Sequence, residues 1–297
     1  MTAHTPITKA SFDPAAAEQF GAAYPESPTS FHHQWVGHPL MELDELAKLA
    51  GRIRPCDVEY YPGDTPFGID PTSAPGNGLS VQDTIRRIEE CGSWMVLKFV
   101  AQDETYRKLL EEALAPLQQV IGDRTGEMLK LQSFIFITSP GSTTPLHFDP
   151  EHNILLQMRG SKVMTIFPAD DERYSPAVEH ERFHTGGHRN LPWQEDFREA
   201  GQAFTMQPGD AVHVPFMSPH FVQNGDAVSV SLSITWRSEW SYREEYAFRM
   251  NKMLRGAGMN PRRPHRFPKD NHVKSLGFRV IDKARRVAGI GRGERTP

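Results

Sequence analysis

The sequence predicts a mainly β fold, a barrel or jelly roll with α-helices packed on its flanks, and three observations predict it. From about residue 128, the segments LQSFIFITS, NILLQM, KVMTIF, AFTMQ, AVHVP and VSVSLSITW are short and β-rich, and Gly, Pro and Asp clusters separate them. Several alternate apolar and polar residues at period two, most plainly from Val228 to Thr235. Outside that block, apolar residues recur at helical spacing instead. Many short strands at close spacing are the pattern of a closed or double-layered β architecture.

In chain order, residues 1–30 are rich in Pro, Ala and Ser and are expected to form a loose leader wrapping the domain. Leu43, Leu46, Ala47 and Ala50 mark a helix that Gly51 stops. CDVEYY is a strand, and the PGDTPFGIDPTSAPGNG stretch after it must be loop. Ser80 with Asp83 has the form of an N-cap pair for a helix through Glu90. WMVLKFV reads as a buried strand, and Asp103 opens an amphipathic helix toward Ile121, kinked or divided at Pro116. After the β block, YREEYAFRMNKML sets Tyr242, Tyr246, Met250 and Met253 on one helical face. A second helix is expected near 276–288, with the basic linker NPRRPHRFPKD between. The expected organisation is an N-terminal flank over 1–127, a catalytic core over 128–240 and a basic helical segment over 241–297.

Composition sets the class. At 297 residues, 38% hydrophobic and 24% charged, the chain has the make-up of an ordinary globular protein. No apolar run approaches membrane-spanning length, and the first residues hold no stretch suited to a signal peptide. Cys56 and Cys91 form no metal-binding spacing and are expected as free thiols in the cytoplasm. The net charge of −4 hides an asymmetry: residues 238–297 hold 15 Lys/Arg against 6 Asp/Glu, the other 237 residues 18 against 31. No basic-aromatic pattern accompanies that tail, so nucleic acid and membrane are not its expected partners. A helical accessory that stabilises the barrel or forms a homodimer is.

The chemistry starts at His147-Phe148-Asp149. On a strand, residues two apart project to the same face, so an imidazole and a carboxylate converge. A third ligand would complete the two-His, one-carboxylate triad that leaves positions open on non-haem Fe(II). It comes from Gly209-Asp-Ala-Val-His-Val-Pro215-Phe-Met-Ser-Pro-His220-Phe-Val-Gln-Asn224. This stretch resembles the second cupin motif, G-x5-P-x-G-x2-H-x3-N, with Met217 in place of the second glycine. His213 competes with His220 but sits mid-strand with no bend to re-aim it, and so reads as a barrel histidine. His152, His180, His184 and His188 form a looser cluster whose spacing matches no structural zinc site.

Lys162 lies fifteen residues after His147, following the turn Arg159-Gly160-Ser161. If the chain runs out from the metal, turns there and returns on the next strand, the ammonium ends near the barrel interior. A buried ammonium needs an anion. The distal carboxylate of 2-oxoglutarate is the candidate, with a hydroxyl donor from Thr144; a surface lysine on a β-turn is the alternative.

The stretch TPLHFDPEHNILLQMRGSKVMTIFP, Thr144 to Pro168, closely resembles the JmjC-type hydroxylases, and within them the asparaginyl hydroxylases. The resemblance covers roughly residues 128–240. It implies a double-stranded β-helix with flanking helices, and a 2-oxoglutarate-dependent dioxygenase using Fe(II) and O2 to hydroxylate a protein side chain or small molecule. It implies that His147, Asp149 and His220 bind iron, and that Thr144, Lys162 and Asn153 lie in the co-substrate pocket. Trp236 falls where the family places an aromatic near the metal, and Ser233 stands where the asparaginyl hydroxylases carry Asn. Phe134, Phe136 and Trp236 are candidates for an apolar wall, with ordinary core packing as the alternative. The loop from Asp170 to Gln202 is expected to cover the site and hold its selectivity; the substrate is not legible.

Overall fold

The computed structural model describes residues 10–63 and 77–288. Eleven strands among them form two sheets. β1 (Thr29–His32), β2 (Val58–Pro62), β3 (Ser93–Leu97), β4 (Leu129–Thr138), β6 (His152–Arg159), β9 (Asp210–Val214) and β11 (Ser229–Arg237) make the larger one. Its order is β1-β9-β6-β11-β4-β3-β2. β5 (Thr143–His147), β7 (Lys162–Ile166), β8 (Gln202–Met206) and β10 (His220–Asn224) make the smaller, in the order β5-β10-β7-β8. All pairings are antiparallel. The fold is thus the expected mainly β jelly roll with flanking helices, and three strands from before residue 128 extend its larger sheet.

The period-two pattern of β11 has an unexpected meaning, because both faces of the strand are buried. Val230, Leu232, Ile234 and Trp236 face outward into the largest core cluster, shared with the helices before the barrel. Ser231 and Ser233 face inward, donating to Gln157 Oε1 at 2.7 Å and Asn153 Oδ1 at 2.8 Å. Alternation marks a strand correctly, but the polar face here lines the barrel interior instead of meeting water. The inter-sheet core above it holds Leu155, Met164, Ile166, Met206, Val212, Val214 and Val222.

From residue 10 on, the leader is packed on the barrel rather than loose. α1 (Pro14–Ala23) is capped by the Asp13 side chain and buries Phe20, with Phe12 and Tyr24 beside it. Its small alanines let it lie close on the sheet, where composition alone suggested a loose leader. α2 (Leu43–Ala50) and α3 (Val81–Arg86), capped by Ser80, follow. The long amphipathic helix divides at Pro116 into α4 (Glu104–Leu114), a 3-10 turn, and α5 (Gln118–Thr125). Most of the Gly/Pro-rich loop, residues 64–76, lies outside the described residues.

After the barrel, α6 (Ala177–Phe183) comes from the 170–202 loop, and α7 (Glu239–Gly256) and α8 (His272–Val287) follow β11. Tyr246 and Met250 of α7 pack on α8, with Tyr246 stacked on Phe278 at 5.8 Å, while Tyr242 stacks on Tyr246 and lies under Arg237. The face α7 turns inward is charged. Glu244 and Glu26 share Arg266 at 2.9 and 2.8 Å, and Glu245 pairs with Arg237 at 2.9 Å. Apolar spacing misidentified the buried face because paired charges occupy it. Burial pushes Glu244 up to about 7 against the opposing pull of Arg266. Arg266→Ala strands two buried carboxylates, so chemical unfolding should show a loss of about 3–5 kcal/mol. A loss under 1 kcal/mol would show the pairs to be solvated.

Candidate metal centre

Register brings the ligands together. β5 and β10 are antiparallel neighbours with His147 directly opposite His220, and the two rings lie 4.2 Å apart. Asp149 sits just past the end of β5, in the bend, where its carboxylate turns back toward both rings. Its oxygens lie 3.9 Å from His147 Nε2 and 3.7 Å from His220 Nε2. Among the described residues this is the one group of three or more His, Cys, Asp or Glu able to hold a metal ion.

Backbone carbonyls fix which ring nitrogens are available. His147 Nδ1 is 2.8 Å from Pro145 O and His220 Nδ1 is 2.9 Å from Ser218 O. A carbonyl only accepts, so each Nδ1 carries the hydrogen and each Nε2 lone pair faces the cluster. Burial drives the His147 pKa down to about 3, helped by the charge of His220, and burial lowers His220 as well. For Asp149, burial pushes the pKa up, but Arg189 and the two histidines outweigh it and hold it below the usual carboxylate value. At neutral pH the donors are therefore two neutral imidazoles and a carboxylate, the protonation a divalent metal requires.

The second-motif turn holds the backbone of Asp149 from below. Met217 N donates to Asp149 O at 3.0 Å. Met217 has φ 60°, the left-handed backbone that explains glycine at this motif position; here a fully buried methionine takes it. From the solvent side, Arg189 reaches Asp149 Oδ1 at 2.8 Å. Its segment lies along the free edge of β5, with Leu191 N donating to Leu146 O and Asn190 bridged to His147. This part of the 170–202 loop borders the site, whereas α6 within it packs on α7. Arg189 had no sequence signal beyond its place in that loop.

A cavity opens from the triad into the barrel, and Thr144, Asn153 and Lys162 line it with His147, Asp149 and His220. Gly160 is what allows the turn before Lys162. Its φ is 68°, and a Cβ there would lie 2.2 Å from Val228 O. Lys162 begins β7 on the interior face it shares with Met164 and Ile166, and only 5% of it is exposed. Burial alone lowers its pKa, to about 7, and among the described residues no carboxylate pairs with it. Beside it in register, Asn224 gives its Nδ2 to Thr138 at 2.9 Å and leaves a buried Oδ1 with no partner among the described residues. Trp94, Phe136, Thr138 and Asn224 complete one side. Of these, Phe136 was expected as wall, and Asn224 was visible as the motif asparagine without a role.

Two resemblance-based positions fall elsewhere. Ser233 stands behind the cavity, orienting Asn153 through its hydroxyl. Trp236 points to the opposite face of the sheet. Its parity on β11 is that of Ile234 and Leu232, and it stacks on His152 at 5.5 Å and donates to the Tyr24 hydroxyl at 3.4 Å. Trp236→Ala should therefore cost about 3–5 kcal/mol of stability and leave metal affinity unchanged; a stable variant with weakened metal binding would contradict this placement. Phe134 packs on Phe99 outside the cavity. His213 lies within hydrogen-bond reach of the Asn153 and Pro25 carbonyls, away from the triad. His152, His180 and His184 are buried among aromatic rings and Ser238 or Ser175, and form no metal cluster.

Residues 81–242 match the model of the family described as a cupin-like domain. Over 110 residues the chain is 32% identical to the HSPB1-associated protein 1 homolog of Danio rerio, covering 34% of this chain and 24% of that protein. An X-ray structure of Escherichia coli ycfD superposes with TM-score 0.52 at 16% identity, covering 89% of this chain and 66% of the other. A further crystal structure of YcfD, there called a ribosomal oxygenase, gives TM-score 0.46 at 14% identity, covering 92% and 67%. The chain thus spans about a quarter of the curated relative's length, and the structural likeness speaks for the fold.

Proposed function

Because the chain belongs to the cupin-like domain family, we propose that it is an Fe(II)- and 2-oxoglutarate-dependent oxygenase, a hydroxylase of a protein side chain or a small molecule. The observation that carries this reading is Lys162, a buried lysine with no carboxylate partner among the described residues, in the same cavity as the triad. A metal-binding barrel needs no such group. An oxygenase that must seat a dicarboxylate beside its metal does, since the charge is costly to bury until an anion joins it.

The donor set fits Fe(II), which favours two imidazoles and a carboxylate with positions left open. His147, Asp149 and His220 would hold it, and with 2-oxoglutarate and O2 it would supply the oxidising power for C–H hydroxylation. The protein's own part is orientation and exclusion of water. Lys162 and Thr144 would hold the distal carboxylate, Asn153 would be oriented by Ser233, and Phe136, Leu155 and Met164 keep the cavity wall apolar.

Anaerobic addition of Fe(II) and then 2-oxoglutarate to the purified protein tests the reading. A visible charge-transfer band that needs both additions is expected. Tight Fe(II) binding with no such band, and no 2-oxoglutarate binding by calorimetry, would make the protein a metal cupin of another activity.

A further inference from the structure

Thr144 does not face the cavity unaided. The indole of Trp94 donates Nε1–H to Thr144 Oγ1 at 2.9 Å. An indole nitrogen only donates, so this bond takes up acceptor capacity of the hydroxyl and leaves the threonine's own hydrogen to be given elsewhere. Among the described residues, Thr144 makes no other side-chain hydrogen bond. Both residues line the cavity that holds Lys162 and the triad.

The indole is firmly placed. β3 sets Trp94 opposite Thr138 of β4, and the residue is 8% exposed. Its ring stacks on Tyr61 at 5.3 Å and 16° and tilts against Phe136 at 5.6 Å. Tyr61 in turn donates to Glu59, which pairs with Lys98. Trp94, Thr144 and His147 also line a second, outer pocket that Tyr61, Pro62, Pro145 and Arg189 complete. The indole therefore borders both spaces.

We propose that Trp94 is a positioning residue for the co-substrate. It occupies the acceptor side of the Thr144 hydroxyl and so commits that hydroxyl to donate toward the carboxylate held by Lys162. The inference rests on the proposed 2-oxoglutarate dependence. Without the indole N–H the threonine hydroxyl is free to rotate, and its donor competence is no longer set before the ligand arrives.

Calorimetric titration of 2-oxoglutarate into the Mn(II)-loaded protein, without turnover, tests it with Trp94→Phe, Thr144→Val and the double variant. Trp94→Phe keeps an aromatic ring in the stack and removes the donor together with part of the indole's volume. It should weaken 2-oxoglutarate about five- to tenfold, the scale of one net hydrogen bond, with Mn(II) affinity unchanged. Thr144→Val should weaken it at least as much, and the double variant should be no weaker than Thr144→Val alone. Wild-type affinity in Trp94→Phe, or its full loss repeated on top of Thr144→Val, would overturn the inference while leaving the proposed function standing. If the wild-type protein binds no 2-oxoglutarate, both fall together. If Trp94→Phe does not retain Mn(II), Thr144→Val decides alone, and unchanged affinity in that variant overturns the inference.

Discussion

Replacing any one of His147, Asp149 or His220 by alanine is expected to abolish tight Fe(II) binding while the barrel still folds. Loss of a partner that merely orients a ligand costs about 10–100-fold in metal affinity, and loss of the ligand itself should exceed that. The fold should survive because the triad lies at one end of the sandwich, outside the apolar cluster between the sheets. Asp149→Ala carries a second consequence, since Arg189 loses the carboxylate it holds at 2.8 Å and the strap along β5 loses its anchor to the site. His213→Ala should retain the metal, because its ring is turned toward the Asn153 and Pro25 carbonyls. Metal titration beside circular dichroism separates the outcomes. A His220 variant that binds Fe(II) like wild type would sink the ligand assignment.

Lys162→Ala should raise the 2-oxoglutarate requirement steeply and leave Fe(II) binding almost unchanged. Removing one partner of a buried ion pair typically costs about 3–5 kcal/mol, which is on the order of 10²–10³ in affinity. The pH dependence follows from the pKa of about 7 that burial gives the free lysine. Only the ammonium pairs with a carboxylate. Below about pH 7 the lysine is already charged and binding needs no proton. Above it, the protein must take up a proton as the ligand binds, so affinity should fall by up to about tenfold per pH unit. Calorimetry near pH 8 in buffers of different ionisation heat should show that uptake in the wild type and not in Lys162→Ala. Lys162→Arg should bind with intermediate affinity and lack this pH dependence, since arginine stays charged. Unchanged 2-oxoglutarate affinity in Lys162→Ala would remove the main ground for the oxygenase reading.

Much of the protein was legible in its sequence, for definable reasons. Strand periodicity, the Asp103 and Ser80 caps, and the break at Pro116 are local effects, decided within a few residues. His147, Asp149 and His220 were legible because two short motifs each carry their ligand beside a turn that fixes its direction. Even the glycine-like demand at Met217 was visible, as a departure from the motif. Tertiary structure alone decided which face of each element meets which neighbour. The parity of β11 turns Trp236 away from the metal and Ser233 toward it, and nothing in an alternating strand says which face is inside when both are buried. The inner face of α7 is charged because Arg237 and Arg266 meet Glu245, Glu244 and Glu26 there, the last from more than two hundred residues away. Trp94 and Arg189 join the site from a strand before the first motif and from the loop between the two motifs. Local sequence sets periodicity and capping because those interactions span one turn or one pleat. A site assembled from distant segments is set by sheet register, which only the packed chain resolves.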